Sequence, residues 1–302
     1  MFNLVVNIFK VLLFLTLMNH PVLSVIIPAY NEEKDIGNCL SSLQKQSYPK
    51  NKIGIIIVDD GSTDKTCQIV KKFKSVKLIK GKHKGPGFSR NLGAKKAKGE
   101  ILIFVDADMT FDKDYLKNLT EPIIKKKVIG TEEGMQIASN RDNIWSRCWG
   151  THFKDYPNIK KGHIFRAIPK KKFKEMGGFD PIYGYADDLT FYFKYGVRSK
   201  WVRNAICYHK NPETLNEVYK QSSWIGASIQ NPLFNLPILS HLIPIILILL
   251  SPLAIPLLAI RHSYKNKEFG LLIPWMLIFM TFRYFGTIKG LFHRTYLRKN
   301  VR

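Results

Sequence analysis

Acidic residues and cysteines are both scarce in this chain of 302 residues. There are 23 Asp and Glu residues against 47 Lys and Arg residues, which gives a formal net charge of +24. The four cysteines, Cys39, Cys67, Cys148 and Cys207, are widely spaced and form no Cys-x-x-Cys pair. This spacing argues against a zinc site or a disulfide framework and is typical of reduced thiols.

Motifs for nucleic-acid binding are also missing, although the chain is strongly basic. The lysines are scattered along the sequence in short runs, such as Lys125–Lys127 and Lys170–Lys172. A nucleic-acid-binding surface instead groups its basic side chains on one face, together with aromatic residues on which bases stack. We therefore predict that nucleic acid is not a partner.

Charge is absent from two stretches near the C-terminus. The 40 residues between Lys220 and Arg261 contain no Asp, Glu, Lys or Arg, and a second uncharged run covers the 14 residues Phe269–Phe282. About 20 apolar residues suffice for a helix to cross a bilayer. The first run is long enough, whereas the second crosses only if Arg283 lies at a membrane face. We predict a membrane hairpin with a basic tail at residues 235–302, with a buried core helix as the alternative for each run.

Two further features concern the membrane. Residues 289–302 contain five basic residues and no acid, so the positive-inside rule predicts a cytoplasmic tail, and an even number of spans returns the preceding domain to the same side. Arg261, Lys265 and Lys267, in the connection between the two runs, weaken this inference. Residues 1–20 are a separate apolar segment without a small-residue cleavage site, for which we expect either a membrane anchor or a non-native start.

Strands and helices alternate between residues 22 and 98. Short apolar runs predict strands at Val22–Pro28, Ile53–Val58, Val76–Ile79 and Ile101–Val105. Apolar residues recur at helical spacing in the segments between them. This alternation is typical of an α/β domain with parallel β-α-β units, which we place at residues 21–212, followed by an amphipathic linker at 213–234.

Polar side chains follow three of these strands. They are Tyr30, Asn31 and Glu32 after the first, Asp59 and Asp60 after the second, and Asp106 and Asp108 after the fourth. The carboxyl ends of parallel strands meet at one edge of the sheet, where such sheets bind ligands. Acids brought together there repel one another unless a cation or a hydrogen-bonding ligand lies among them, although helix capping would also explain them. Two carboxylates two residues apart can face a common Mg²⁺ or Mn²⁺ ion.

The order of these motifs resembles the family-2 glycosyltransferases. Ser24–Glu33 is similar to the family's opening strand, and Ile57–Asp64 is similar to its base-binding turn. Gly85–Gly93, followed by Phe104–Asp108, resembles the segment that ends in its metal motif. Gly177–Asp180, followed by Asp187 and Asp188, resembles its acceptor-side region. The resemblance covers residues 22–212. It implies an α/β GT-A fold, a Rossmann-like mixed sheet flanked by helices, here with C-terminal transmembrane helices.

The resemblance also implies roles at a donor site. The residues expected to contact the nucleotide sugar are Pro28, Tyr30, Glu32, Asp60, Arg90 and Asp106, with Asp60 accepting a hydrogen bond from the base and Arg90 approaching the diphosphate. A surface salt bridge is the alternative role for Arg90. Asp108, with Asp106, would bind the metal, Mg²⁺ or Mn²⁺. Apart from the resemblance, His209 follows a run of strand character and is a third ligand, an acceptor contact or a structural residue.

On the acceptor side, the resemblance implies a catalytic base. Asp188 is the candidate, and Asp187 stays the alternative because this chain has Asp187 where the family usually has Glu and Lys194 where it has Arg. One base and no second acid pair imply a single displacement that inverts the anomeric centre.

The expected enzyme moves a sugar from a UDP- or GDP-linked donor to a polyprenyl phosphate or a lipid-linked glycan, in contact with membrane lipids. A non-catalytic nucleotide-binding membrane scaffold and a processive polysaccharide synthase are the alternatives. The synthases of this family carry a Gln-x-x-Arg-Trp motif, and the segment Lys220–Trp224 keeps only its tryptophan. This difference argues against the processive synthase.

Overall fold

A mixed β-sheet organises the protein. The computed structural model describes residues 20–150, 161–229, 237–265 and 273–299. Its strands are β1 Leu23–Ala29, β2 Ile53–Asp59, β3 Val76–Lys80, β4 Ile101–Phe104, β5 Met109–Phe111, β6 Thr131–Ala138, β7 Lys161–Gly162, β8 Ala167–Pro169 and β9 Ser199–His209. They follow the order β3-β2-β1-β4-β8-β6-β9-β5, and β7 pairs with β9. The apolar segment predicted at residues 1–20 lies outside the described residues, except for His20.

Helices flank the sheet and form the C-terminal part of the chain. They are α1 Ile36–Gln44, α2 Thr66–Lys71, α3 Pro86–Lys96, α4 Tyr115–Ile124, α5 Ile144–Trp149, α6 Lys170–Glu175, α7 Thr190–Tyr195, α8 Leu215–Ser228, α9 Pro237–Lys265 and α10 Ile273–Lys299. A 3₁₀ segment, Pro181–Leu189, precedes α7. The predicted α/β alternation is confirmed, and the four predicted strands are all present with slightly different ends.

The first four strands pair in parallel, with β1 between β2 and β4. β1 is almost wholly buried, because apolar clusters cover both faces of the sheet there. Ile36, Leu40 and Leu43 of α1 pack on one face, and Phe104 packs with Phe173 on the other. Strands buried on both faces are continuous apolar runs, as seen here. Because β1, β2 and β4 run parallel, the residues that follow them lie along one edge of the sheet.

The second half of the sheet brings β9 to this edge. β9 pairs in parallel with β6 and antiparallel with β5, in a register that sets His209 opposite Met109. The chain after β9 therefore leaves the sheet beside the end of β4 and continues into α8.

Glycines allow α8 and α10 to pack very closely. A Cβ atom added at Gly226 of α8 would lie 2.2 Å from the Thr287 carbonyl oxygen, and one added at Gly290 of α10 would lie 2.0 Å from the Ser223 oxygen. α9 also packs against α10 and runs antiparallel to it: the Tyr284 hydroxyl donates to the Leu247 oxygen at 2.8 Å, and His262 stacks on Phe279 with ring centroids 6.1 Å apart.

Only one of the two predicted spans has the character of a membrane helix. Within the described ranges, Leu242–Tyr264 of α9 is the single helical stretch that is long and apolar enough to cross a bilayer. α10 is interrupted by Arg283 and Lys289 and does not share this character.

Candidate active site

The Asp106-Ala107-Asp108 turn joins β4 to β5 at the carboxyl edge of the parallel strands. The Met109 amide donates to the Asp106 carbonyl oxygen at 3.3 Å, which closes the turn. The pairing of β5 with β9 then places His209 Nε2 3.4 Å from Asp108 Oδ2. The structure thus brings together the predicted metal residue and the histidine whose role the sequence left open.

Asp106 is held by two buried arginines. Arg90 Nη2 donates to Asp106 Oδ1 at 2.6 Å, and Arg166 Nη1 donates to Asp106 Oδ2 at 3.1 Å. Burial acts to raise the pKa of Asp106, but Arg166 and Arg90 outweigh it and hold that pKa well below its ordinary value. Asp106 is therefore ionised, and both of its oxygens already accept charge-assisted hydrogen bonds.

These contacts belong to a chain of five alternating charges. Arg166 Nε also donates to Glu133 Oε1 at 3.1 Å, and Arg90 Nη1 donates to Asp187 Oδ1 and Oδ2 at 2.5 and 2.7 Å. The order is Glu133, Arg166, Asp106, Arg90 and Asp187, and all except Asp106 are buried. A buried charge is stable only when it is paired, so each member keeps its neighbour in place.

The sequence did not point to Glu133 or Arg166. The available signal is a charged residue inside an apolar run, Ile164-Phe165-Arg166-Ala167-Ile168, because such a residue needs a buried partner. Arg90 was predicted to contact the diphosphate. Arg90 is 5% exposed and its guanidinium is bound to two carboxylates, which suits a residue that positions other groups.

The two neighbouring acids of the 3₁₀ segment have different surroundings. Asp187 is buried against α3, and it fits there because Gly87 has no side chain: a Cβ at that position would lie 2.7 Å from Asp187 Oδ2. Burial acts to raise the pKa of Asp187, and the contacts with Arg90 oppose that shift. Asp188 is partly exposed, and no hydrogen bond or ion pair holds its carboxylate within the described residues.

Burial raises the pKa of Asp188 to about 7, with Asp187 adding to the shift and Arg166 opposing it. A carboxylate whose pKa lies near neutrality is well suited to accept a proton at that pH. Asp188 thus has the exposure and the proton affinity of a base, whereas Asp187 is committed to Arg90.

Acidic side chains gather where β1 and β4 end. Burial, followed by the charges of Asp108, Asp35 and Asp106, raises the pKa of Glu32 to about 8. Burial also raises the pKa of Asp108, and His209 opposes this shift. The raised pKa values of Glu32 and Asp108 reflect burial and neighbouring negative charge, an environment in which a cation is stabilised.

The donor atoms present fit a divalent cation that is shared with a substrate. Asp108 and His209 offer oxygen and nitrogen ligands of the kind that Mn²⁺ accepts. Among the residues that the structure describes, no group of three His, Cys, Asp or Glu side chains forms a ready cage. Mg²⁺ commonly uses one or two carboxylates and completes its shell with substrate phosphates and water. The site therefore suits a metal that arrives with a diphosphate.

Asp60, which follows β2, organises the loop between β3 and α3. Its carboxylate accepts from the Lys84 and Gly85 amides at 3.0 and 2.8 Å and from the Ser89 hydroxyl at 3.2 Å. This loop sets the His83 ring against the Tyr30 ring, with the centroids 4.3 Å apart. Tyr30 is 44% exposed, so the pair offers an aromatic surface at the end of β1.

A cleft of about 290 Å³ separates this loop from the acceptor-side segment. It is lined by His83, Lys84, Gly85, Pro86, Gly87, Pro181, Gly184 and Trp224. The cleft thus joins the loop held by Asp60, the segment that carries Asp187 and Asp188, and helix α8.

Comparison with solved structures identifies the fold. The structure of Staphylococcus aureus TarS 1-349 in complex with UDP-GlcNAc matches with a TM-score of 0.54 at 20% identity, over 92% of this chain and 92% of that chain. Mannosyltransferase PcManGT from Pyrobaculum calidifontis, in complex with GDP-Man and Mn²⁺, matches with a TM-score of 0.54 at 21% identity, over 92% of this chain and 87% of that chain. These likenesses confirm the predicted GT-A fold.

Sequence comparison identifies the family. TarS, a poly(ribitol-phosphate) beta-N-acetylglucosaminyltransferase of Staphylococcus aureus, is 44% identical over 100 residues, which are 32% of this chain and 18% of that protein. A poly(ribitol-phosphate) beta-glucosyltransferase of Bacillus spizizenii is 45% identical over 159 residues, 51% of this chain and 21% of that protein. The matched region is thus about a fifth of each relative's length. The family profile described as glycosyl transferase family 2 matches residues 24–176, about half of the chain, and the chain therefore belongs to glycosyl transferase family 2.

Proposed function

We propose that this protein transfers a sugar from a nucleotide-diphosphate donor to an acceptor hydroxyl, with inversion at the anomeric carbon. The observation that carries the proposal is the contrast between Asp187 and Asp188: the first is tied to Arg90, whereas the carboxylate of the second has no hydrogen bond or ion pair among the described residues and a pKa of about 7. Family membership supports the reaction class. The relatives solved with UDP-GlcNAc and with GDP-Man support a UDP- or GDP-linked donor.

In this proposal Asp188 is the general base. Its carboxylate accepts the acceptor hydroxyl proton as the new bond from oxygen to the anomeric carbon forms, and the bond to the diphosphate breaks with its electron pair on the leaving oxygen. Arg90 and Asp187 act as positioning residues, because they fix the segment on which Asp188 lies. A single base without a second carboxylate nucleophile gives inversion.

The donor binds along the edge of the parallel strands. Tyr30, which follows β1 and packs against the His83 ring, offers a ring surface for the base. Pro28, near the end of β1, lies next but one to Tyr30 in the chain. Asp60 shapes the adjoining loop, and its carboxylate is the candidate partner of a base N–H. Asp106 and Glu32, at the same edge of the sheet, are the candidate contacts of the sugar and its phosphates.

Asp108 and His209 are the residues that would hold Mg²⁺ or Mn²⁺. When bound, such an ion neutralises the negative charge that develops on the leaving diphosphate. The relative from Pyrobaculum calidifontis solved with Mn²⁺ supports this assignment. In this proposal the protein brings one carboxylate, after β4, and one imidazole, at the end of β9, to the same place.

The acceptor in this proposal is lipid-borne, either a polyprenyl phosphate or a lipid-linked glycan, and the site faces the cytoplasm. The apolar stretch Leu242–Tyr264 supports membrane attachment. A Methanococcus voltae relative named as a dolichyl N-acetyl-alpha-D-glucosaminyl phosphate glucuronosyltransferase, 36% identical over 105 residues, supports the acceptor class. The basic tail at residues 289–302 supports the cytoplasmic side.

Release of nucleoside diphosphate tests the reaction. The detergent-solubilised full chain is incubated with native membrane lipids and a panel of UDP- and GDP-sugars, with and without EDTA. Release from one donor that EDTA abolishes supports the transferase and identifies its sugar. Turnover without added metal in EDTA contradicts the metal assignment, and the absence of both turnover and nucleotide binding favours a non-catalytic scaffold.

A further inference from the structure

The apolar helix α9 does not project away from the catalytic domain. Near its C-terminal end, His262 Nε2 lies 2.9 Å from the Cys148 carbonyl oxygen of α5, and Ala259 packs in the same buried cluster as Cys148. Toward its N-terminal end, the Leu247 carbonyl oxygen accepts from Tyr284 of α10 at 2.8 Å. Fifteen residues of helix separate these two contacts, about 22 Å at 1.5 Å per residue.

At the His262 contact, α9 touches α5 of the catalytic domain directly. At the Leu247 contact, only α10 lies between α9 and that domain. Beside Tyr284, Arg283 lies over the Trp149 ring of α5 at 4.5 Å, and a Cβ at Gly286 would lie 2.6 Å from the Tyr219 oxygen of α8. α10 is thus fixed along α5 and α8, and α9 lies along α10. Both ends of this stretch of α9 are therefore held close to the catalytic domain.

This arrangement conflicts with a helix that crosses a bilayer. The hydrocarbon core is about 30 Å thick, so a crossing α9 would draw into the lipid the parts of α10 and α5 that contact it, with α8 beside them. α8 exposes Glu217 and Lys220, and charges inside the hydrocarbon are costly. Arg283 is accommodated differently, because the Trp149 ring covers it.

The outer face of α9 is nevertheless strongly apolar. Leu249, Leu253 and Leu257 follow one another at intervals of four residues and are 74%, 66% and 58% exposed. Trp275 and Phe282 of α10 are exposed as well. Most exposed large apolar side chains in the described ranges lie on these two helices, and a patch of this kind marks an interaction surface.

We propose that α9 and α10 form an in-plane anchor, which lies flat in the membrane surface with the Leu249–Leu257 face in the lipid. A bilayer is the occupant because the face is built of aliphatic residues, while Tyr264 and exposed Arg261 lie at one end, where aromatic and basic residues favour the headgroup region. The proposal rests on the membrane attachment described above and not on the transfer reaction.

An in-plane anchor also brings the cleft between the His83–Gly87 loop and α8 near the lipid surface. α8 lies between α10 and the 3₁₀ segment that carries Asp187 and Asp188: a Cβ at Gly184 would lie 2.8 Å from the Ser228 hydroxyl. Trp224, also on α8, lines the cleft. The cleft is therefore one helix from the lipid surface, within reach of an acceptor whose headgroup stays in the membrane plane.

Thiol labelling distinguishes an in-plane anchor from a spanning hairpin. The full chain with Lys267→Cys, in the connection between α9 and α10, is reconstituted in sealed vesicles and treated with a membrane-impermeant maleimide. Labelling above that of the parent chain is compared with Lys127→Cys, an exposed position on the catalytic domain. The in-plane anchor predicts equal labelling of both variants without detergent. Protection of Lys267→Cys until detergent is added would overturn the proposal.

Vesicle partition gives an independent readout that does not require activity. In flotation with phosphatidylcholine and phosphatidylglycerol vesicles, Leu249→Glu with Leu253→Glu is expected to lower binding about tenfold or more. Ile129→Glu, a matched change at an exposed apolar residue outside this face, should leave binding unchanged. Unchanged vesicle binding by the double variant overturns the proposal. If vesicle binding is unchanged and the double variant breaks a dimer that the wild-type protein forms in detergent, the face contacts a second copy of the chain. If the double variant instead lowers thermal stability, the face packs against the chain's own residues.

Discussion

Arg90 and Asp187 are 97 residues apart in the chain, yet a single guanidinium nitrogen contacts both carboxylate oxygens, at 2.5 and 2.7 Å. The pair is buried, and it links α3, at the donor side of the cleft, to the segment that carries Asp188. Through Asp106, the same arginine is joined to the turn that holds Asp108. One side chain therefore sets the separation between the proposed base and the proposed metal residue.

Gly87→Ala should disturb this pair without unfolding the protein. The added methyl group would meet Asp187 Oδ2 at 2.7 Å and so displace the carboxylate from Arg90. We expect kcat to fall about tenfold or more, because a misplaced base loses its alignment. The matched control is Gly37→Ala, where the new Cβ would lie at an ordinary 3.6 Å from Ile69 Cγ2. Equal activity of the two variants would show that the Arg90–Asp187 contact does not position the base.

Arg166→Met should destabilise the fold, because it leaves Glu133 without a partner in the core and removes one of the two arginines on Asp106. Breaking a buried ion pair costs about 3–5 kcal/mol. Thermal unfolding in detergent measures the loss. The double variant Glu133→Leu with Arg166→Met removes the unpaired carboxylate, so it should recover part of the stability. A double variant no more stable than Arg166→Met would contradict this assignment.

The pH dependence of turnover reports the protonation state of Asp188. Its pKa, raised to about 7 by burial, means that the carboxyl is protonated and inactive below neutral pH and becomes a base as the pH rises. With saturating metal and donor, log kcat should increase by about one unit per pH unit below pH 7 and then level off. The residual activity of Asp188→Asn should lack this limb. A limb that persists in Asp188→Asn would assign the titration to another group.

Removal of the metal residues should act on donor binding as well as on turnover. Asp108→Asn keeps the size of the side chain but removes the charge, so the variant should need a much higher Mn²⁺ concentration for half-maximal activity. His209→Asn tests the imidazole, which lies 3.4 Å from Asp108 Oδ2. If His209 is a ligand, its loss should weaken Mn²⁺ binding about 10–100-fold, whereas an unchanged metal requirement would make it structural.

Local patterns in the sequence were sufficient to predict the parallel strands and their functional ends. β1, β2 and β4 are apolar runs interrupted by polar turns, and this pattern depends on nearest neighbours only. The same local pattern identifies Asp106 and Asp108, which directly follow the apolar run of β4. Their placement at one edge of the sheet follows from the parallel register of these strands.

Long-range pairing was not predictable in the same way. Glu133 and Arg166 lie in different strands or loops, and nothing in their immediate sequence specifies that they meet each other and Asp106. The membrane segments show a related limit. Hydropathy identified the apolar run of α9, but only the contacts of His262 and Arg283 with α5 reveal how close the helices lie to the catalytic domain.

The most direct test of the account compares donor binding with turnover in Asp188→Asn. Binding of the nucleotide sugar is measured by calorimetry with Mn²⁺ present, and release of nucleoside diphosphate is measured on the same preparation with acceptor lipid. The account predicts donor affinity within about threefold of wild type, together with a fall in kcat of about 10²–10⁴-fold, the usual contribution of a general base. Wild-type kcat in Asp188→Asn would contradict the assignment of Asp188 as the base and, with it, the proposed mechanism.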